Sequence, residues 1–249
     1  MSLNRVRSSF YEGLEAVQCD SLRGEVWKLI CKVHSSKSQY KRGIIKKFIE
    51  QEDLIVTKKI TKDLGRTFPG NEEFKTNHES GNNRLYNVLK AYSAYDPETG
   101  YCQGMNFITG MLLQIIPDEE DAFWSLVYVM FVRDWRSIFS RDSDRINLMV
   151  TDMENYLRRN SRTVAAHLQK QQVATIGGSF SSQIITLFIY DNEFEAATKV
   201  FELFLLDGEQ VLVDLIAGMI MHKRQAVLEL DDLELMNFLR KDMVQECLS

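Results

Sequence analysis

The sequence predicts an all-α chain, and three observations carry that expectation. Apolar residues recur at helical spacing nearly everywhere, only Pro69, Pro97 and Pro117 interrupt 249 residues, and 45% of the residues are hydrophobic, ample for a core. The length fits one large domain or two intimately packed subdomains, and no fixed-period repeat is apparent. The net charge of −5 is unevenly spread: residues 1–67 hold 14 Lys/Arg against 8 Asp/Glu, so a basic first third precedes an acidic remainder. Such an excess either surrounds a phosphate-directed group or forms solvated helix faces. Cys19, Cys31, Cys102 and Cys247 form no Cys-x-x-Cys pair and no signal peptide precedes them, so free thiols in a reducing cytoplasm are expected. The longest apolar runs, 105–116 and 122–132, are too short and too interrupted to cross a bilayer.

Taken in order, a first helix before Cys19 sets Phe10, Leu14 and Val17 on one side. Asp20 or Ser21 then caps a second, which carries Leu22, Val26, Trp27 and Ile30. Arg23 falls in its first turn, where a cation opposes the helix dipole, so a structural pairing with an acid is expected of it rather than chemistry. A lysine-rich helix is read over 37–48. Asp53 caps the next, whose Val56, Ile60 and Leu64 recur every four residues and face the core. Asp63 and Arg66 share a face of this helix, so the carboxylate can hold the guanidinium; an ordinary surface pair worth about 0.3 kcal/mol is the plainer alternative. Gly65 weakens the helix and Pro69 ends it, which leaves Arg66 projecting from a terminus.

Residues 68–83 are polar and turn-rich, a long loop suited to contacting a partner. Leu85, Val88, Leu89 and Tyr92 restore helical spacing, and Asp96-Pro97-Glu98-Thr99-Gly100 makes a turn. In Tyr101-Cys102-Gln103-Gly104-Met105-Asn106 two amides stand three residues apart. They are expected on one face, at the start of a helix buried nearly all round through Ile108, Leu112 and Ile115. At such a start the backbone N–H groups favour anions, and Gly104 permits close backbone approach. The amides either act on a ligand or merely satisfy neighbouring backbone. Arginine and glutamine nevertheless form a chemical pair: one neutralises charge on a transferring phosphoryl group, the other orients an attacking water, and GTP hydrolysis needs both services.

In the second half, Pro117 in the first turn starts an acid-led helix running to Val132. Helices follow over 143–160, with Met149, Met153 and Tyr156 inward, and over 163–172. Gly177-Gly178 lacks the Gly-Lys-Ser/Thr of a phosphate loop and reads as a turn, while 183–190 reads equally as strand or helix. Asn192 caps a helix that Asp207-Gly208 ends; 211–221 is another, and Asp231 or Asp232 starts a last one to about Glu246. His34, His78, His167, His222 and the cysteines show no metal-ligand spacing, so no metal site is predicted.

Ile60-x-x-Asp63-x-x-Arg66-Thr67 and Tyr101-x-Gln103-Gly104-x-Asn106 resemble two signature motifs of the TBC family, GTPase-activating proteins for Rab GTPases. Arg23-x-x-x-Trp27 is similar to the family's opening motif, and the three stand in the family's order. The likeness covers about residues 20–225. It implies an all-α fold, a single TBC-like domain built from two packed helical subdomains, with 1–19 a helical extension and 226–249 a C-terminal helix of the same domain. It further implies Arg66 as an arginine finger and Gln103 as a glutamine finger acting in trans, supported by Asp63, Thr67, Tyr101, Gly104 and Asn106. Arg23, Trp27 and Ile60 are implied as structural. The implied partner is a Rab-type small GTPase in its GTP form, which carries the Mg²⁺ and GTP, so the chain itself needs no cofactor and binds no nucleic acid. Regulation of vesicle trafficking from the cytoplasm, with recruitment to endomembranes but no insertion, completes the expectation. The likeness also tips 183–190 to helix. Gln183 and Phe201 stand where the family commonly has tryptophan, and its proline soon after Phe188 is absent; these departures lie outside both finger motifs.

Two other classes stay open. A non-catalytic helical interaction module would bind a GTPase or trafficking factor, although such a module has no chemical need for both Arg66 and Gln103. A hydrolase built on Cys102 would need a base, and no histidine lies in a motif that marks it as one.

Overall fold

The computed structural model describes residues 20–70, 79–140 and 142–248, all helices and connections, with no strand among them. The helix expected before Cys19 and the centre of the loop after Phe68 lie outside these residues. The chain divides after Ser140 into two compact units.

The first unit holds α1 (Asp20–Ile30), α2 (Val33–Ser38), α3 (Ile44–Ile49), α4 (Leu54–Leu64), α5 (Glu79–Tyr95), α6 (Met105–Ile115) and α7 (Glu119–Val127). A π turn over Tyr128–Val132 and a 3₁₀ turn over Trp135–Phe139 close it. The α6 helix is central, packed by α1, α4, α5 and α7, and nine of its eleven residues are buried. Its near-continuous apolar sequence anticipates this, because a helix hydrophobic on every side must be surrounded. Trp27 and Ile60, both 0% exposed, anchor α1 and α4 in the same core. Asp53 caps α4 by accepting from the Ile55 and Val56 N–H groups, each at 2.9 Å.

Three local expectations are corrected here. The helix read over 37–48 is two short helices, α2 and α3, separated at Gly43, whose φ of +73° places it in the left-handed region. The loop read as running to Asn83 ends earlier, since α5 starts at Glu79. Pro117 precedes the cap of α7 rather than occupying its first turn; Asp118 caps, accepting from the Asp121 N–H at 2.9 Å.

Where α3, the end of α5 and α7 meet, an aromatic cluster of Tyr40, Phe48, Tyr95, Phe123 and Trp124 is joined ring to ring at 4.7–5.9 Å between centroids. Nearby, burial pushes the Cys31 thiol up to about 12, and burial with the Asp96 carboxylate holds the Tyr92 hydroxyl above the ordinary tyrosine range. Both folded-state values are raised above unfolded ones near 8.5 and 10, so their stabilisation is complete below about pH 8.5 and is lost as pH climbs toward 12. Thermal melts followed by circular dichroism should therefore show a midpoint falling steadily above pH 9, and Cys31→Ala should flatten the first part of that fall.

The second unit holds α8 (Arg145–Asn160), α9 (Arg162–Lys170), α10 (Ile176–Ile185), α11 (Phe194–Asp207), α12 (Gln210–His222) and α13 (Arg224–Glu229). A π turn over Phe238–Asp242 then joins α14 (Asp232–Asn237) to α15 (Met243–Leu248). The α8 helix packs on α9, α10 and α12 through Met149, Met153 and Leu157. Arg145 fastens its start to Glu209 at 2.6 Å.

Three expectations fail in this unit. Gly177 and Gly178 are not a turn but the first turn of α10, because Thr175 caps that helix and accepts from the Gly178 N–H at 3.1 Å. The helix stops at Ile185, short of the predicted 190, since Leu187 and Phe188 adopt positive φ of 54° and 61°. Asn192 does not cap α11: its amide donates backward to the Phe188 and Tyr190 carbonyls, and Glu193 occupies the cap position. Gln183 and Phe201 are both buried, Gln183 donating to the Arg240 carbonyl at 2.9 Å.

Candidate functional site

Both signature stretches lie in the first unit, and hydrogen bonds tie them together. Asp63, 4% exposed near the end of α4, is the hub. Its Oδ1 pairs with Arg66 Nη2 at 2.7 Å, and its Oδ2 accepts from the Tyr101 hydroxyl at 2.6 Å. Burial, then the bond to Asp63, raises the Tyr101 hydroxyl well above the usual tyrosine range, so it remains a donor. Thr67 Oγ1 donates to the Asp63 carbonyl and accepts from the Asn106 amide, both at 2.8 Å. Asn106, 0% exposed, accepts the Gly104 N–H at 3.0 Å through its Oδ1. The Tyr101 hydroxyl lies 3.4 Å from the same oxygen, but its single proton serves the shorter bond to Asp63. The result is a ring of four residues bonded as Tyr101–Asp63–Thr67–Asn106, with the 3.4 Å approach of Tyr101 to Asn106 across the remaining gap. Each of these buried polar groups is partnered, which a low-dielectric interior requires.

Arg66 and Gln103 are the exposed members at the edge of this ring. Arg66 follows the last turn of α4, as expected, with its side chain 46% exposed. Among the described residues Arg66 is engaged in an ion pair only by Asp63 and only through Nη2, so most of the planar fork can meet an incoming anion. Gln103 and Asn106 do not share a helix face, contrary to the i, i+3 expectation. Gly104, with φ of +108°, breaks the run: α6 starts at Met105, so Asn106 turns into the core and Gln103 stays in the exposed turn. The glycine is needed for that conformation, which side-chain-bearing residues rarely adopt. Arg23 stands half-buried in the first turn of α1.

One positioning contact had no signal in local spacing. Phe68, at positive φ, lays its ring across α6, edge to face with Phe107 at 6.1 Å, and over Gly110. A Cβ on Gly110 would lie 2.7 Å from the Phe68 ring and 3.3 Å from the Thr67 methyl. Gly110 thereby lets the segment just after Arg66 seat on α6. Gly110→Val is expected to destabilise by about 1–3 kcal/mol. By contrast, Gly218→Ala, whose added carbon meets nothing within 4 Å, should stabilise by about 0.5–1 kcal/mol. Urea titrations of the two variants check both signs.

Cys102 is half-buried, its thiol 3.7 Å from the Thr99 carbonyl, and burial raises its pKa against the opposing pull of Lys59. A protonated thiol is a poor nucleophile, which counts against the hydrolase reading. Among the described residues no cluster of ligating side chains suits a metal ion, and no helix is long and apolar enough to cross a membrane.

Comparisons with known proteins follow the same lines. A family model for the Rab-GTPase-TBC domain matches residues 20–228. The human ecotropic viral integration site 5 protein homolog (Homo sapiens) is 31% identical over 213 residues, covering 84% of this chain and 25% of that protein. The Rab GTPase-activating protein tbc-11 of Caenorhabditis elegans is 29% identical over 214 residues, 85% of this chain and 23% of that one. The chain thus spans a quarter or less of the length of these relatives. A crystal structure of the Chlamydomonas flagellar RabGAP TBC domain shares the fold, with a TM-score of 0.83 at 20% identity over 98% of this chain and 82% of that one. The Ypt/Rab-GAP domain of Gyp1p shares it at 0.74 and 17% identity, covering 96% and 86%. Because the matched region contains all three motifs and most of the chain, the chain belongs to the Rab-GTPase-TBC domain family.

Proposed function

We propose that the chain accelerates GTP hydrolysis by a Rab-type small GTPase in trans, Arg66 and Gln103 acting together on the partner's nucleotide. The observation that carries this reading is the buried ring of Asp63, Thr67, Tyr101 and Asn106, which fixes the backbone beside two exposed side chains of complementary chemistry. Catalysis of phosphoryl transfer is chiefly positioning and electrostatic stabilisation, and a prebuilt support for two donors answers both needs. In this reading the partner supplies GTP and Mg²⁺. Arg66 stabilises charge developing between the β- and γ-phosphates, and Gln103 accepts from and donates to the attacking water. Exposed Lys58, Lys59 and Lys62 lie on α4, which ends two residues before Arg66, and add a positive field toward a phosphate-bearing partner. A Rab-directed activity places the chain in vesicle trafficking, recruited from the cytoplasm to endomembranes by its partner.

The test is single-turnover hydrolysis by a panel of purified GTP-loaded Rab proteins with the wild-type chain. Stimulation of a subset supports the reading and identifies the substrate. Tight binding that leaves the GTP half-life unchanged across the panel would instead favour a non-catalytic interaction module.

A further inference from the structure

Arg136 belongs to neither signature stretch, yet it holds the turn that leads into Gln103. It stands on the 3₁₀ turn over Trp135–Phe139, where Trp135 and Ile138 are 0% and 8% exposed and give it a fixed base. Its guanidinium lies over the Phe131 ring, 4.6 Å from the centroid. From there Nη2 donates to Asp96 Oδ1 at 3.1 Å and to Glu98 Oε2 at 2.8 Å, while Nε reaches Thr99 Oγ1 at 3.4 Å. Asp96, 4% exposed, gathers the rest of the turn. Its Oδ2 accepts from the Tyr92 hydroxyl at 2.9 Å, its Oδ1 from the Thr99 N–H at 3.5 Å, and its carbonyl from the Gly100 N–H at 2.8 Å. A buried carboxylate holds its charge and its bonds only where a cation or several donors compensate it, and Arg136 is the cation here.

Among the described residues no hydrogen bond restrains the Gln103 amide, so its position is set by the backbone on either side. That backbone has three anchors. Asn106 holds Gly104 on the C-terminal side; on the other, Asp63 holds Tyr101, and Asp96 with Arg136 holds 96–100. Without Asp96 and Arg136, the turn over 97–100 is held only from its Tyr101 end.

We propose that Arg136, acting through Asp96, is a positioning residue for Gln103; this rests on the reading of Gln103 as the group that orients water. The test measures stimulated GTP hydrolysis on a Rab protein that the wild-type chain activates. Arg136→Gln should lower kcat roughly tenfold to a hundredfold and leave KM within about twofold, since a misplaced group costs rate rather than association. Asp96→Asn should reproduce the loss, and the double variant should be no worse than either. In a Gln103→Ala background Arg136→Gln should cost less than about twofold more, because no amide is left to misplace. Hydrogen exchange should rise over 97–104 and stay unchanged over 105–115. Should Arg136→Gln melt early, Arg136→Lys and Asp96→Asn carry the same comparison. An equal loss in both backgrounds, or an unchanged kcat in a folded variant, overturns the proposal. A Gln103→Ala chain as active as wild type is a separate outcome: it removes the role of Gln103 and this one with it.

Discussion

Arg66→Ala is expected to lower the stimulated rate of GTP hydrolysis by about 10³–10⁵ while leaving the fold intact. The size follows from what an arginine supplies to a phosphoryl transition state, and the structure explains why the fold should not suffer. Arg66 is 46% exposed and its ion pair with Asp63 spans only three residues. Removing it leaves Asp63 bonded to Tyr101 and the Asn106–Thr67 link untouched. Buried Asp63 loses its cation but keeps the Tyr101 donor, so a stability loss of about 1–3 kcal/mol is expected, inside the margin of a domain this size. Arg66→Lys keeps the charge but not the planar fork, and one ammonium cannot both hold Asp63 and bridge phosphate oxygens, so it should fail almost as badly. Single-turnover rates beside thermal melts of the same preparations check this. Recovery of most activity in Arg66→Lys would remove the finger assignment.

The parts legible in sequence were those encoded within one or two helical turns. Asp53 as a cap, the facing of Asp63 and Arg66, and the all-round burial of α6 follow from spacing alone, and the structure reproduces each. What spacing misjudged turns on single backbone angles. Gln103 and Asn106 are three apart, but Gly104 at φ +108° divides them between an exposed turn and a buried helix. Likewise the run to Tyr190, ambiguous between strand and helix in its residues and read as helix on the family likeness, is cut short because left-handed Leu187 and Phe188 stop α10. Other features were invisible because they exist only in three dimensions. Asn106 meets Thr67 across 39 residues, and Arg136 meets Asp96 across 40. No local pattern distinguishes Gly110 from any other residue of an apolar helix until Phe68 is seen lying on it.

These long-range contacts also explain a division of labour in the ring. Asp63, Thr67, Tyr101 and Asn106 are buried and mutually satisfied, so their replacement should cost stability as well as rate. Arg66 and Gln103 are exposed, so theirs should cost far more rate than stability. Loss of activity far beyond loss of stability is therefore the signature that separates the proposed reacting groups from their support.

Gln103→Ala applies that criterion most cleanly, with an expected fall of about 10²–10³ in the stimulated rate, the loss typical of removing one preorganised donor from a transition state. Gln103 is exposed and makes no hydrogen bond among the described residues, so its melting temperature should match wild type. Gln103→Glu sharpens the chemistry. The carboxylate has nearly the same shape and still accepts from water, but it cannot donate, and it places a negative charge beside phosphate oxygens. If Gln103 orients water through both accepting and donating, the glutamate chain should be at least as impaired as the alanine chain. A glutamate chain that retains wild-type rates would mean that acceptance alone suffices. A fully active alanine chain would mean that the partner's own residues orient the water and that Arg66 acts alone.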